Sequence, residues 1–287
     1  MSAGRGLVRR AAVSCLLVLP LAPMLPAPAV AQNADSTSST RPLFTYRDAI
    51  LAGAFAVTAR VVHPLDERLR DRLQDSSTQA NRKLQTLATF VRTTATPGSY
   101  VIGTSMYAIG RIAKNQKLAS LGLHGTEALI IGEGVAMVMK TLVGRQRPSV
   151  EPGDPNSYQF MRGLHGGDKY RSFPSGHTVS AFAAAAAVTA ETSRNAPNTT
   201  WVVAPILYGG AALVGVSRMY NNRHWASDVI IGAGIGTFAG LKVVRFNRSH
   251  TGNRVDRFFL AGSLLPEPNG GHALHLSLLP ASMLGLR

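Results

Sequence analysis

A chain of 287 residues with 30 Lys and Arg against 15 Asp and Glu carries a formal net charge of +15. Charged residues make up 16% and hydrophobic residues 45%, so a sizeable core is available and disorder is excluded for most of the chain. A basic but charge-poor composition points to anionic partners such as phosphorylated small molecules or lipid headgroups. Nucleic acid is disfavoured, because the arginines are scattered and no aromatic-interleaved basic stretch or helix-turn-helix spacing occurs.

In chain order, Arg5, Arg9 and Arg10 precede a mostly apolar stretch over 11–25, and Ala29-Val30-Ala31 places small residues where a signal peptidase reads. Residues 1–31 are therefore expected to be a signal peptide and the protein to be exported, periplasmic or membrane-associated. The single cysteine, Cys15, lies in that segment, so no disulfide or thiolate metal site is expected in the processed chain. Residues 32–45 are Ser/Thr/Asn-rich and read as a flexible leader.

A helical domain is expected over 46–246. Residues 48–62 form an Ala-rich apolar segment. Residues 66–92 are charged but space Leu65, Leu69 and Leu73 four apart, an amphipathic stripe. Arg92 ends that segment. Apolar helices follow over 100–112 and 118–144, the latter stopping near Pro148. Residues 149–172, rich in Gly, Pro, Asp and Asn, exceed the ~12–15 residues beyond which passive loops are uncommon.

Three more apolar helices are predicted over 177–192, 201–220 and 225–244. None supplies about 20 strongly apolar residues without interruption, so no secure membrane span is expected. Against that, Gly232, Gly236 and Gly240 recur every four residues, a spacing common between membrane helices and in Ala/Gly-rich globular bundles alike. The tail over 247–287 alternates Leu274, Leu276 and Leu278 with His275 and Ser277, and a β-hairpin is expected around residues 266–271. The fold class is all-α: a compact bundle of about six helices with the site at helix ends, plus that hairpin.

Three clusters carry chemistry. Lys140 and Arg147 are seven residues apart, two helical turns, and so share a face; Pro148 follows. Phe173-Pro174-Ser175-Gly176-His177 opens an apolar helix, with Ser175 suited to cap it and free amides suited to an anion. Ser217-Arg218 is followed by His224 and Asp228, whose four-residue spacing lets the carboxylate fix the imidazole tautomer. Each cluster alone has an ordinary structural explanation: pairing of Lys140 with Glu133, a simple cap, a surface His/Asp pair. His63, His124, His165, His250, His272 and His275 lack such company.

The conjunction Lys140-x6-Arg147-Pro148, Pro174-Ser175-Gly176-His177 and Ser217-Arg218-x5-His224-x3-Asp228 resembles the tripartite signature of the type 2 phosphatidic acid phosphatase and vanadium haloperoxidase family, over 118–244. The resemblance implies His224 as nucleophile, Asp228 as the group holding its imidazole, and His177 as general acid and then base. It implies Lys140, Arg147, Ser175, Gly176 and Arg218 as the phosphate cradle, with no metal and no resident cofactor, though vanadate fits the same site. Three cations fit the role: two charges about 7 Å apart repel by roughly 2 kcal/mol at an effective dielectric of about 20, and a phosphate dianion relieves it. The expected activity is metal-independent hydrolysis of a phosphomonoester or lipid (pyro)phosphate through a phosphohistidine. A vanadium-dependent haloperoxidase and a non-catalytic lipid-phosphate binder are the alternatives. Expected partners are a phosphorylated small-molecule or lipid substrate and a membrane, with no nucleic acid.

Overall fold

The computed structural model describes residues 42–260 except 152, 251 and 252, together with 263–266 and 272–275. The signal-peptide reading of 1–31, and all but the end of the leader, lie outside the described residues. The architecture is all-α. In chain order the helices are α1 (Tyr46–Val62), α2 (Asp66–Gln74), α3 (Arg82–Thr93), α4 (Ser99–Ile112), α5 (Gln116–Val143), α6 (Gly176–Asn195), α7 (Thr200–Tyr220), α8 (Ala226–Ser249) and the short α9 (Arg254–Leu260).

Local chemistry explains where these helices start and stop. The amphipathic stretch over 66–92 does not form one helix. Asp75 accepts from the Ser77 amide at 2.9 Å and Asn81 from the Lys83 amide at 3.0 Å, so each short polar side chain restarts the chain as a new cap. Asn115 caps α5 through the Leu118 amide at 3.1 Å, and Gly144, at φ 58°, ends it in the left-handed region. In the tail, Arg254–Leu260 is helical as α9. Strands β1 (Ser263–Pro266) and β2 (His272–His275) pair antiparallel with Ser263 opposite His275; the connecting turn lies outside the described residues.

Small residues set the core. Helix α6 packs lengthwise on α8, with Ala183 and Ala187 fully buried. A Cβ on Gly236 would lie 2.3 Å from the Val179 carbonyl oxygen, and one on Gly240 2.5 Å from that of Ala183. The four-residue glycine spacing is thus the seam that lets two backbones touch. α5 joins the pair through Gly132, whose missing side chain leaves room for Val179. α7 closes the other side with Ala204, Tyr208 and Ala211 around Phe182, and Phe55 of α1 lies against Gly234.

The bundle exterior is apolar as well: Val57 and Val61 of α1, and Trp201 and Ile206 of α7, are exposed. Three segments, Tyr46–Gln74, Pro197–Tyr220 and Ala226–Ser249, are long and apolar enough to cross a membrane. This corrects the expectation that no segment would suffice.

The seam makes a contrast testable. Gly236→Ala should cost on the order of 1–3 kcal/mol, because the clash is with backbone that cannot swing aside. Gly209→Ala, in α7 with nothing within 4 Å of the added carbon, should be neutral or stabilising by up to about 1 kcal/mol. Denaturant melts of the two variants check this; equal effects would mean the α6–α8 contact is not set by Gly236.

Candidate active site

The end of α5, the start of α6, the end of α7 and the start of α8 meet at one end of the bundle. Their frame is a residue absent from the three motif positions, Arg145. Its side chain is fully buried, donating from Nη2 to Asp66 at 2.8 Å, from Nη1 to Asp228 and to the Ser227 hydroxyl at 2.8 Å, and from Nε to the Pro155 carbonyl at 3.0 Å. Its plane lies 4.9 Å from the Tyr158 ring centroid and 5.6 Å from that of Trp225. One guanidinium thereby joins α2, the 149–172 loop and α8.

His224 is buried on this frame. Its Nδ1 faces the Ser172 carbonyl oxygen at 2.7 Å, and its Nε2 lies 3.3 Å from Arg147 Nη1. A proton on Nδ1 therefore leaves Nε2 as the free lone pair at the site. Asp228 does not hold the imidazole directly, as the helical spacing led us to expect: its Oδ2 is 3.9 Å from Nδ1. It accepts from the Ser172 hydroxyl at 2.6 Å and from the Trp225 amide at 3.0 Å, so it orients His224 through Ser172 and the start of α8. Burial first, then Lys140, Arg147 and Arg218, holds the His224 pKa well below the ordinary histidine value, so the ring is neutral.

The cations are brought together as predicted, but in unequal states. Arg147 is committed: Nε donates to the Asp168 carbonyl at 2.8 Å, Nη2 pairs with the Asp168 carboxylate at 2.7 Å, and Nη1 donates to the Arg223 carbonyl at 2.7 Å. Lys140 donates to the Pro174 carbonyl and not to Glu133, which instead accepts from Ser180. Burial and Arg147 bring its pKa down to about 8. Arg218 is 5% exposed, and its Nε has no hydrogen-bond partner among the described residues.

Ser175 occupies the cap position of α6, but its side chain caps no amide; its hydroxyl accepts from Thr178 Oγ1 at 2.8 Å and its amide donates to the Asp228 carbonyl at 3.1 Å. The first-turn amides of α6 are left for an anion. A Cβ on Gly176 would stand 3.0 Å from a Glu133 carboxylate oxygen, the movable end of a side chain. His177 follows, half-buried, with its pKa lowered to about 3 by burial and by Arg218, Arg92, Lys140 and Arg147.

Four residues escaped the sequence reading. Arg145 lies inside the first motif's spacer, Ser172 and Asp168 in the loop, and Arg92 on α3. No local pattern marks the first three, since their partners are up to 83 residues away. Arg92 ends the 66–92 segment, outside the three motifs, yet its charge reaches His177. Of the unassigned histidines, His124 has company after all, its Nε2 lying 3.1 Å from Asp256 at the opposite end of the bundle. Among the described residues no group of three or more His, Cys, Asp or Glu side chains is placed to hold a metal.

Residues 123–251 match the family model of the PAP2 superfamily. The chain is 43% identical over 83 residues to a lipid A 1-phosphatase of Porphyromonas gingivalis, covering 29% of this chain and 18% of that protein. The chain thus spans under a fifth of the relative's length. Among solved structures, it resembles a transmembrane PAP2-type phosphatidylglycerolphosphate phosphatase of Bacillus subtilis, with 19% identity, 73% of this chain and 100% of that one covered, and a TM-score of 0.49. It also resembles LpxE of Aquifex aeolicus, with 21% identity, 63% and 95% coverage, and a TM-score of 0.45.

Arg145→Ala should cost about 3–5 kcal/mol, because it leaves two buried carboxylates uncompensated. Arg223→Ala removes a half-exposed cation 3.6 Å from an exposed Asp168 and should cost no more than about 1 kcal/mol. Chemical denaturation of both variants compares them; similar losses would remove Arg145 from its place as the frame.

Proposed function

We propose that this chain is a phosphoric ester hydrolase that cleaves a lipid-linked phosphate or pyrophosphate at a membrane surface. The observation that carries the reading is the Arg218 guanidinium, buried beside Lys140 and Arg147 and opposite a neutral histidine, with its Nε unpartnered among the described residues. A buried arginine without a partner is costly unless an anion completes it, and its planar fork suits two phosphoryl oxygens.

In the proposed reaction His224 Nε2 attacks phosphorus as the bond to the leaving oxygen breaks, and His177 delivers a proton to that oxygen. Water then attacks the phosphohistidine, His177 takes its proton, and inorganic phosphate leaves with the P–N bond broken. Lys140, Arg147, Arg218 and the α6 amides carry the negative charge that builds on the equatorial oxygens, the electrostatic part of such a transfer. Because protein cations fill that role, we expect turnover to need no metal. The apolar exterior and the basic charge favour a lipid substrate, and the lipid phosphatase similarity of the 83-residue segment agrees. We further propose an extracytoplasmic site, on the reading of residues 1–31 as an export signal.

His224→Ala should remove at least about a thousandfold of kcat, in line with loss of a nucleophile, while the melting temperature stays near wild type. Wild-type activity should survive EDTA and be inhibited competitively by vanadate. Phosphate release from a panel of lipid and soluble phosphates measures all three; a folded His224→Ala variant with more than a few per cent of wild-type rate sinks the nucleophile assignment.

Lys140 gives a pH test. Its pKa is lowered to about 8, so in the free protein the charged form, and with it phosphate binding, is present below that pH and lost above it. The profile of kcat/KM, which reports the free enzyme, should fall on the alkaline side from about pH 8. Lys140→Arg keeps the charge and should move that limb upward by a unit or more. An unmoved limb would show that another group controls it.

A further inference from the structure

Arg92 stands outside all three motif segments, yet it is placed at the site. Ala88 and Ala95 are buried at 6% and 5% exposure, and Arg92 lies four residues after one and three before the other, on the same inward face of α3 and the turn that follows it. That turn is fixed to α6: Thr96 Oγ1 donates to Ser180 Oγ at 3.2 Å, three residues beyond His177. The side chain is exposed and makes no hydrogen bond or ion pair among the described residues. Its charge acts on His177 and on Arg218, which puts it on the His177 side of the site.

From this placement we propose that Arg92 is a specificity residue that binds a second anionic group carried by the leaving portion of the substrate. The inference rests on the phosphatase reading above and narrows it to substrates such as diphosphates, whose leaving group is itself a phosphate. The side of the pocket decides the group. His177 serves the leaving oxygen, so whatever lies beyond His177, under Arg92, belongs to the leaving portion and not to the phosphoryl transferred to His224.

Charge supports the same assignment. Burial and four cations, Arg92 among them, hold His177 at a low pKa of about 3. A general acid must carry a proton, and a neighbouring anion favours the protonated form. The transferred phosphoryl group offsets Lys140, Arg147 and Arg218, whereas Arg92 is offset only by negative charge on the leaving side. Arg223, the other cation of the rim, already has Asp168 at 3.6 Å. Arg92 has no such neighbour.

The test compares two chain-matched compounds, farnesyl diphosphate and farnesyl monophosphate, with the full chain in detergent. Wild type should favour the diphosphate in kcat/KM. Arg92→Gln should lower the diphosphate-to-monophosphate ratio by on the order of tenfold or more, the size expected for one charge-assisted contact, and Arg92→Lys should recover part of it. An unchanged ratio, with phosphate still released from both compounds, overturns the Arg92 assignment and leaves the phosphatase reading standing. Release from neither compound by wild type overturns the phosphatase reading and the inference with it.

Discussion

One buried guanidinium holds the candidate active-site end together. Arg145 has no exposed surface and spends its donors on Asp66, Asp228, Ser227 and the Pro155 carbonyl. Those groups come from α2, α8 and the long loop. A charge removed from water in this way is tolerable only when every donor is met. The chain must therefore bring these elements to one geometry before Arg145 can be buried, and the geometry of the reactive groups follows from it. Asp228 is held on one side by Arg145 and on the other holds Ser172, and Ser172 places His224.

This division separates support from chemistry. Arg145, Asp66 and Asp228 are inward and saturated. Arg218, His177 and Nε2 of His224 face the pocket with valence to spare. Arg147 lies between the two, with three donors committed to the loop and to Arg223 and only one edge near His224. A site arranged in this way meets a developing charge with donors that need not reorganise, which is the largest electrostatic contribution available to such a reaction.

Much of the bundle is legible in the sequence, since its helices are long and their stops are chemical. Gly144, Pro148 and the polar run after Tyr220 mark ends that the structure places within a few residues of the predicted ones. The glycine spacing in α8 reads correctly as a close-packing seam. What escapes is anything fixed by partners distant along the chain. His224 and Asp228 are four residues apart, a spacing compatible with a direct hydrogen bond, yet the bond is made to Ser172, 52 residues upstream. Arg145 resembles one more basic residue at a helix end, and only its burial against Asp66 reveals its part. The break of 66–92 is legible in hindsight from Asp75 and Asn81, but the leucine stripe is the stronger local signal and it overrides the caps.

The supporting network also has an electrostatic consequence for the pocket. Asp66 and Asp228 share one guanidinium, so the buried triad retains one formal negative charge behind the imidazole. That charge raises the proton affinity of Lys140 against burial and Arg147, and so helps keep the lysine charged near neutral pH. It cannot serve the same purpose for Arg218, whose Nε remains unmet. The result is a graded field: partly neutralised at the α5 side, and uncompensated at the α7 and α3 side where Arg218 and Arg92 stand. An anion entering the site is drawn most strongly toward that uncompensated side, so a substrate with two anionic groups gains most by placing its first across Arg218 and His224 and its second toward Arg92.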